Sequence, residues 1–190
     1  MVYQGKGSKV SDEHLMEGIH HGDTDAFNEL YLRYHKRLLY YFYRMLGNSS
    51  EKAQDFLQDI FIKIIDHPES FNISRKFSTW IFSVAHNMCK NEYRRLAVRS
   101  NTITCKNIEQ YSIADEGINQ DMRLTADQIF LFIDGMGEIE KTVFLLYYRE
   151  DFSVEEIGKT LDISEGTVKS KLYYTRKKLT DKFMIQDIKI

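Results

Sequence analysis

A chain of 190 residues with 26 basic and 28 acidic side chains is long enough for one ordinary domain or two small ones, and its formal charge of -2 excludes a uniformly basic nucleic-acid coat. A single proline, Pro68, favours long helices over loop-rich β structure. Two cysteines, Cys89 and Cys105, exclude a disulfide framework and lack the paired spacing of a zinc site; with no bilayer-length apolar run and no apolar signal core in MVYQGKGSKVSDEH, this leaves a cytoplasmic protein without membrane insertion.

In chain order, Ser11 is placed to cap a short helix to about His21, and Asp23 or Thr24 a longer one ending near Gly47. In the longer helix Phe27, Leu30, Tyr31, Tyr34, Leu38, Tyr41 and Met45 recur at three- and four-residue steps, the period of an apolar stripe that packs inward. Ser50 opens the next, where Ala53, Phe56, Leu57, Ile60, Phe61 and Ile64 form the stripe and Gln54, Asp55, Gln58 and Asp59 lie opposite, until His67-Pro68 ends it. Acids dominate this segment: Glu51, Asp55, Asp59, Asp66 and Glu69 face only Lys52 and Lys63.

A polar connection from Glu69 to Lys76 leads into a helix from about Phe77 to Leu96, with Phe77, Trp80, Ile81, Val84, Met88 and Cys89 inward. On the other side Ser83, Asn87, Lys90, Asn91 and Arg94 align, with Arg95 beside them, an arrangement of amides and cations that suits a nucleic-acid strand. Phe71, Phe77, Trp80 and Phe82 lie in or near the connection, where rings stack on bases or pack in a core; for Trp80 the spacing favours the core. From Ala97 to about residue 124 periodicity fails, which reads as a flexible linker.

Two further helices come next, near Thr125 to Gly135 and about Glu138 to Glu150. Then Ser153 with Glu156 makes a capping box, Ile157 and Leu161 face inward, and Gly158 leaves room for a close crossing. Asp162-Ile163-Ser164 forms a turn, because Asp tolerates a left-handed backbone and Ser caps the last helix. That helix buries Val168, Leu172, Thr175 and Leu179 and turns Lys169, Ser170, Lys171, Tyr173 and Lys177 outward. A lone charge run is usually a solvated face, but capping box, small residue, turn and basic face together make a helix-turn-helix that reads duplex DNA. The fold class is therefore all-α: two small helical domains, 11–96 and 125–184, joined by a linker over 97–124, the second carrying the helix-turn-helix.

GDTDAFNELYLRYHKRLLYYFYRMLG, EKAQDFLQDIFIKII and FSTWIFSVAHNMCKNEYRR resemble the conserved first domain of extracytoplasmic-function (ECF) RNA polymerase sigma factors, and FLLYYREDFSVEEIGKTLDISEGTVKSKLYYTRKKL resembles their last domain. The resemblance implies a factor that binds core RNA polymerase and promoter DNA, directs melting and initiation, and in some members is held by an anti-sigma factor. It places Asp55, Gln58, Asp59 and Phe61 on polymerase. The loop Phe71 to Ser78, with Trp80, Asn87, Lys90, Asn91, Arg94 and Arg95, falls on the melted promoter strand. Thr167, Lys169, Ser170, Lys171, Tyr173, Tyr174, Arg176 and Lys177 fall on the duplex upstream. Met136-Gly137 stands where the family usually has Leu-Pro, and Tyr174 where Arg is common.

Other classes fare worse. A stand-alone repressor shares the helix-turn-helix but leaves the first domain unexplained. A nuclease built on Asp55, Asp59 and His86, or a site using His20 and His21, lacks any nucleophile, phosphate-loop or HExxH motif. No cofactor and no small-molecule substrate are expected.

Overall fold

A computed structural model describes residues 10–102 and 126–183 of the protein. Among the described residues there are eight α-helices, one short 3-10 turn and no strands: α1 (Asp12–His20), α2 (Thr24–Met45), α3 (Ser50–Asp66), the turn Pro68–Ser70, α4 (Phe77–Thr102), α5 (Ala126–Asp134), α6 (Glu138–Tyr148), α7 (Val154–Leu161) and α8 (Glu165–Phe183). Local chemistry accounts for most boundaries. Ser11, Asp23 and Ser49 each accept a backbone N–H in the first turn of α1, α2 and α3. Ser50 is the first residue of α3, as its sequence suggests, and Ser49 before it supplies the cap. Pro68 comes directly after the C-cap of α3 and starts the 3-10 turn.

The helix α4 runs 26 residues, about 39 Å. Its end at Thr102 corrects the expected linker start, since residues 97–102 are helical. Apolar periodicity stops near Leu96, but no glycine or proline interrupts the stretch, so the backbone ladder continues with Ala97, Val98 and Arg99 exposed. The rest of the expected linker lies outside the described residues.

The core is built on α2, which buries Ala26, Leu30, Tyr34, Leu38, Tyr41, Phe42 and Met45 against α1 and α3. The stripe is rotated slightly from the expected one, with Phe42 inside and Tyr31 exposed. On α4, Phe82, Ala85 and His86 are buried along with Phe77, Ile81 and Cys89, a wider buried face than one apolar stripe requires. The reason is that the C-terminal helices pack on α2 and α4. Phe152 meets Phe82 edge-on at 5.4 Å, and Val143, Leu145, Leu146, Ile157, Val168 and Leu172 join the same connected core. The two helical regions are therefore in contact, not merely tethered.

In the C-terminal region the capping box is complete: Glu156 N–H donates to Ser153 Oγ (3.2 Å) and Ser153 N–H to Glu156 Oε2 (2.8 Å). Asp162 takes the left-handed conformation, φ 54° and ψ 48°, and Thr167 N–H donates to Ser164 Oγ at 3.2 Å. A Cβ added at Gly158 would lie 2.9 Å from the Ile163 carbonyl oxygen, inside that turn. Gly158→Ala should therefore cost about 1–3 kcal/mol of stability and weaken duplex binding, measurable by chemical denaturation and DNA titration. Unchanged stability would show that the turn yields freely.

Candidate nucleic-acid interface

The helix α8 buries Val168, Leu172, Thr175 and Leu179, the four residues its period assigns inward. Thr167, Lys169, Ser170, Tyr173, Tyr174, Arg176 and Lys177 are exposed on the remaining surface. A helix backed in this way and presenting hydroxyls, cations and rings has the shape and chemistry for a major groove. Lys171 is half-buried and donates to Glu140 Oε1 at 2.5 Å; that hydrogen bond is the first cause holding the Glu140 carboxyl below the usual carboxylate range. Arg176 donates to the Tyr148 hydroxyl, with its guanidinium 5.5 Å from the centre of that ring. Tyr173 and Tyr174 form an edge-on pair at 5.4 Å.

Along α4, Asn87, Asn91, Arg94 and Arg95 are exposed and Lys90 is half-buried. Arg95 reaches Glu92 at 2.6 Å, and this bond is the first cause of the lowered Glu92 pKa. The aromatic expectations need correction. Phe77 is 0 % exposed, with Tyr34, Phe71 and Trp80 within 5.0–5.6 Å of its ring centre, and Phe71 and Phe82 are buried too. Their faces are taken by other rings, so none is available to stack on a base. Trp80 is half-buried against Phe71 and Phe77, and these rings form the floor under the connection. Above it, Asn72 Oδ1 accepts from Ser74 N–H (3.0 Å) and Oγ (2.7 Å), while Ile73, 53 % exposed, is an apolar surface side chain that no sequence motif singles out.

His86, placed by sequence in the reading helix, is buried. Its Nδ1 lies 3.4 Å from Thr142 Oγ1, and burial, with Lys90 adding, pushes its pKa down to about 4. The ring is therefore neutral near pH 7 and acts as a packing residue. Cys89 is buried with its thiol pKa raised by burial, which makes it inert.

A third surface lies on α3. Asp55, Gln58 and Asp59 are exposed together, whereas Phe61 is 4 % exposed, 4.7 Å from the Tyr31 ring centre and 6.0 Å from that of Phe27. Phe61 is thus a core residue, which corrects its expected place on a partner surface. The apolar groups on this face are instead Ile62, 43 % exposed, and Ile65, 52 % exposed. Helical spacing sets them one to two turns beyond Gln58 and Asp59. The signal was present: both fall off the Ala53–Leu57–Ile60–Ile64 stripe, but they sit among inward apolar residues in a stretch, Ile60 to Ile65, that only Lys63 interrupts.

Family models match in two places, Sigma-70 region 2 over residues 30–99 and Sigma-70 region 4 over residues 127–179. The ECF RNA polymerase sigma factor SigW of Bacillus subtilis is 32% identical over 167 residues, covering 83% of this chain and 89% of that protein. This chain belongs to the ECF RNA polymerase sigma factors. The ECF sigma-E factor of Escherichia coli K12 is 26% identical over 183 residues, 92% of this chain and 95% of that one. Two solved structures share the fold: the sigma factor RpoE with the anti-sigma factor NepR from Bartonella quintana, at 18% identity and TM-score 0.65 over 85% of this chain and 98% of that one, and CnrH with the cytosolic domain of CnrY, at 19% and 0.66 over 93% and 99%. Region 2 of this sigma factor thus runs from α2 through most of α4, and region 4 spans α5 to α8. Among the described residues no helix is long and apolar enough to cross a membrane, and no group of three or more metal-ligating side chains occurs.

Proposed function

We propose that this ECF sigma factor brings core RNA polymerase to promoters in the cytoplasm by three separate surfaces and performs no covalent chemistry of its own. The exposed face of α8 supports this reading most directly. Thr167, Lys169, Ser170, Tyr173 and Tyr174 read base edges in the upstream duplex, with Arg176 and Lys177 on phosphates. Tyr174, in place of the common Arg, exchanges a charged contact for a ring contact. Lys171 joins them when phosphate competes with Glu140 for its ammonium.

On region 2, the connection above the Phe71–Phe77–Trp80 floor and the stripe Asn87, Lys90, Asn91, Arg94 and Arg95 take the melted strand. Opening a duplex costs unpairing and unstacking, and a surface that holds the extruded strand through amides and cations offsets that cost. The floor rings act by fixing the loop, so that Asn72, Ile73 and Ser74 meet the strand. On α3, Asp55, Gln58 and Asp59 offer an acidic, amide-rich face with Ile62 and Ile65 beside them, suited to a basic polymerase surface.

Purified chain added to core polymerase should give specific transcripts from fragmented genomic DNA, and sequencing their starts should reveal one shared two-part promoter motif. Core alone should give none. Random initiation in the presence of the chain would overturn the reading.

A further inference from the structure

The helix α6 is preceded by a glycine that its backbone does not require. Gly137 has φ -63° and ψ 156°, an extended conformation open to any residue, and it supplies no side-chain cap. Space accounts for it instead. A Cβ added at Gly137 would lie 2.6 Å from Glu140 Oε2, so the missing side chain lets the Glu140 carboxylate fold back over the start of its own helix. There the helix dipole and the free backbone N–H groups favour a negative charge. A proline at this position would carry a Cβ into the same space; the glycine of Met136-Gly137 leaves it to the carboxylate.

The other carboxylate oxygen faces the duplex-reading helix. Glu140 Oε1 is 2.5 Å from Lys171 Nζ, with Glu140 25% and Lys171 34% exposed, so solvent screens the pair only in part. The hydrogen bond from Lys171 first, and then one from the backbone N–H of Glu140 itself, hold the carboxyl below the usual carboxylate range against the opposing effect of burial. The pair lies in the wall of an open cleft beside α8 that Thr167, Ser170, Tyr174 and Lys178 also line. Lys169 differs. Its pair with Glu165 spans 3.4 Å within one helix and leaves both side chains more than half exposed, an arrangement that restrains little, whereas the pair at Lys171 ties α8 to α6.

We propose that Glu140 is a positioning residue of the duplex-reading surface, which keeps the Lys171 ammonium off the DNA backbone until the rest of α8 fits, with Gly137 making room for it. The proposal rests on the assignment of α8 to the upstream duplex. A cation that neutralises a phosphate acts on any sequence and raises affinity everywhere on DNA. Held by Glu140, Lys171 adds nothing to a loosely bound duplex, because drawing it away breaks the pair. Where Thr167, Lys169, Ser170 and the tyrosines seat the helix closely, a phosphate brought against the cleft replaces the carboxylate. The gap between promoter and other DNA widens because binding to the other DNA is lowered.

Full-length chains carrying Glu140→Gln or Gly137→Ala test this with a mixed-sequence duplex. Gly137→Ala keeps every charge and displaces only the carboxylate. Glu165→Gln removes the same charge from the exposed pair at Lys169 and serves as the control. Lysine footprinting without DNA should show Lys171 acylated several times faster in both test variants than in the parent, with Lys169 unchanged. Titration over a salt series should show both binding the duplex roughly five- to tenfold more tightly at about 0.1 M salt. Their plots of log affinity against log salt should be steeper by about 0.9, the value for one more phosphate neutralised. A merely loosened fold would not steepen that slope. Lys171 no faster in either variant, an unchanged slope, or an equal gain in Glu165→Gln would overturn the proposal. The reading of α8 is checked apart from it: Lys169→Ala with Lys177→Ala should weaken duplex binding, and no loss there would place the duplex elsewhere.

Discussion

Asp59→Lys leaves the chain folded and lowers its affinity for core RNA polymerase by about a hundredfold or more. Asp59 is exposed on α3 between Asp55, Gln58 and Ile62, and nothing in the core depends on its carboxylate. Placing a cation at the centre of a face suited to a basic partner turns attraction into like-charge repulsion across a desolvated contact, which costs several kcal/mol. Native gel shift or fluorescence anisotropy with purified core measures the affinity, and thermal unfolding checks that the fold survives. Ile65→Ala should produce a smaller loss in the same assay, because it removes buried apolar area without introducing repulsion. Core affinity unchanged in Asp59→Lys would move the polymerase surface elsewhere.

Phe77→Ala removes about 3–5 kcal/mol of stability. The ring is fully buried among Tyr34, Phe71 and Trp80, and the residue's own N–H donates to Glu13 Oε1 at 2.8 Å, tying α1 to the start of α4. That is a large share of the total for a domain of this size. Asn87→Ala, on the exposed stripe of the same helix, should change stability by no more than about 0.5 kcal/mol while weakening single-strand binding. Urea denaturation, then strand titration, separates the two. A stable Phe77→Ala protein that loses strand binding would return the ring to the role its position near the connection suggests.

Caps and turns are local, and they are legible in the sequence: Ser153 and Glu156, the left-handed Asp162 and the Ser164 cap depend on residues within three or four positions. Periodicity locates the inward residues of α8 because one side of that helix packs and the other does not. It locates the inward residues of α3 as well, and falls short on α4. On α3 the run FIKII offers more apolar residues than one face can bury, so Phe61 goes inside and Ile62 and Ile65 stay outside. On α4 a second set of helices covers residues that one stripe would leave free, which buries Phe82 and His86.

The sequence by itself determined the helices, their caps, the turn before α8 and the family, since each arises from near-neighbour chemistry or from motifs read in order. Tertiary structure alone decided which aromatic rings pack inside beneath the connection, and that the start of α6 stands between α4 and α8. Those facts depend on pairs such as Arg37 with Glu150 or Lys76 with Glu156, separated by 113 and 80 positions. No local period carries information over such distances; only the packing of α2, α4, α6 and α7 into one core brings the charges together.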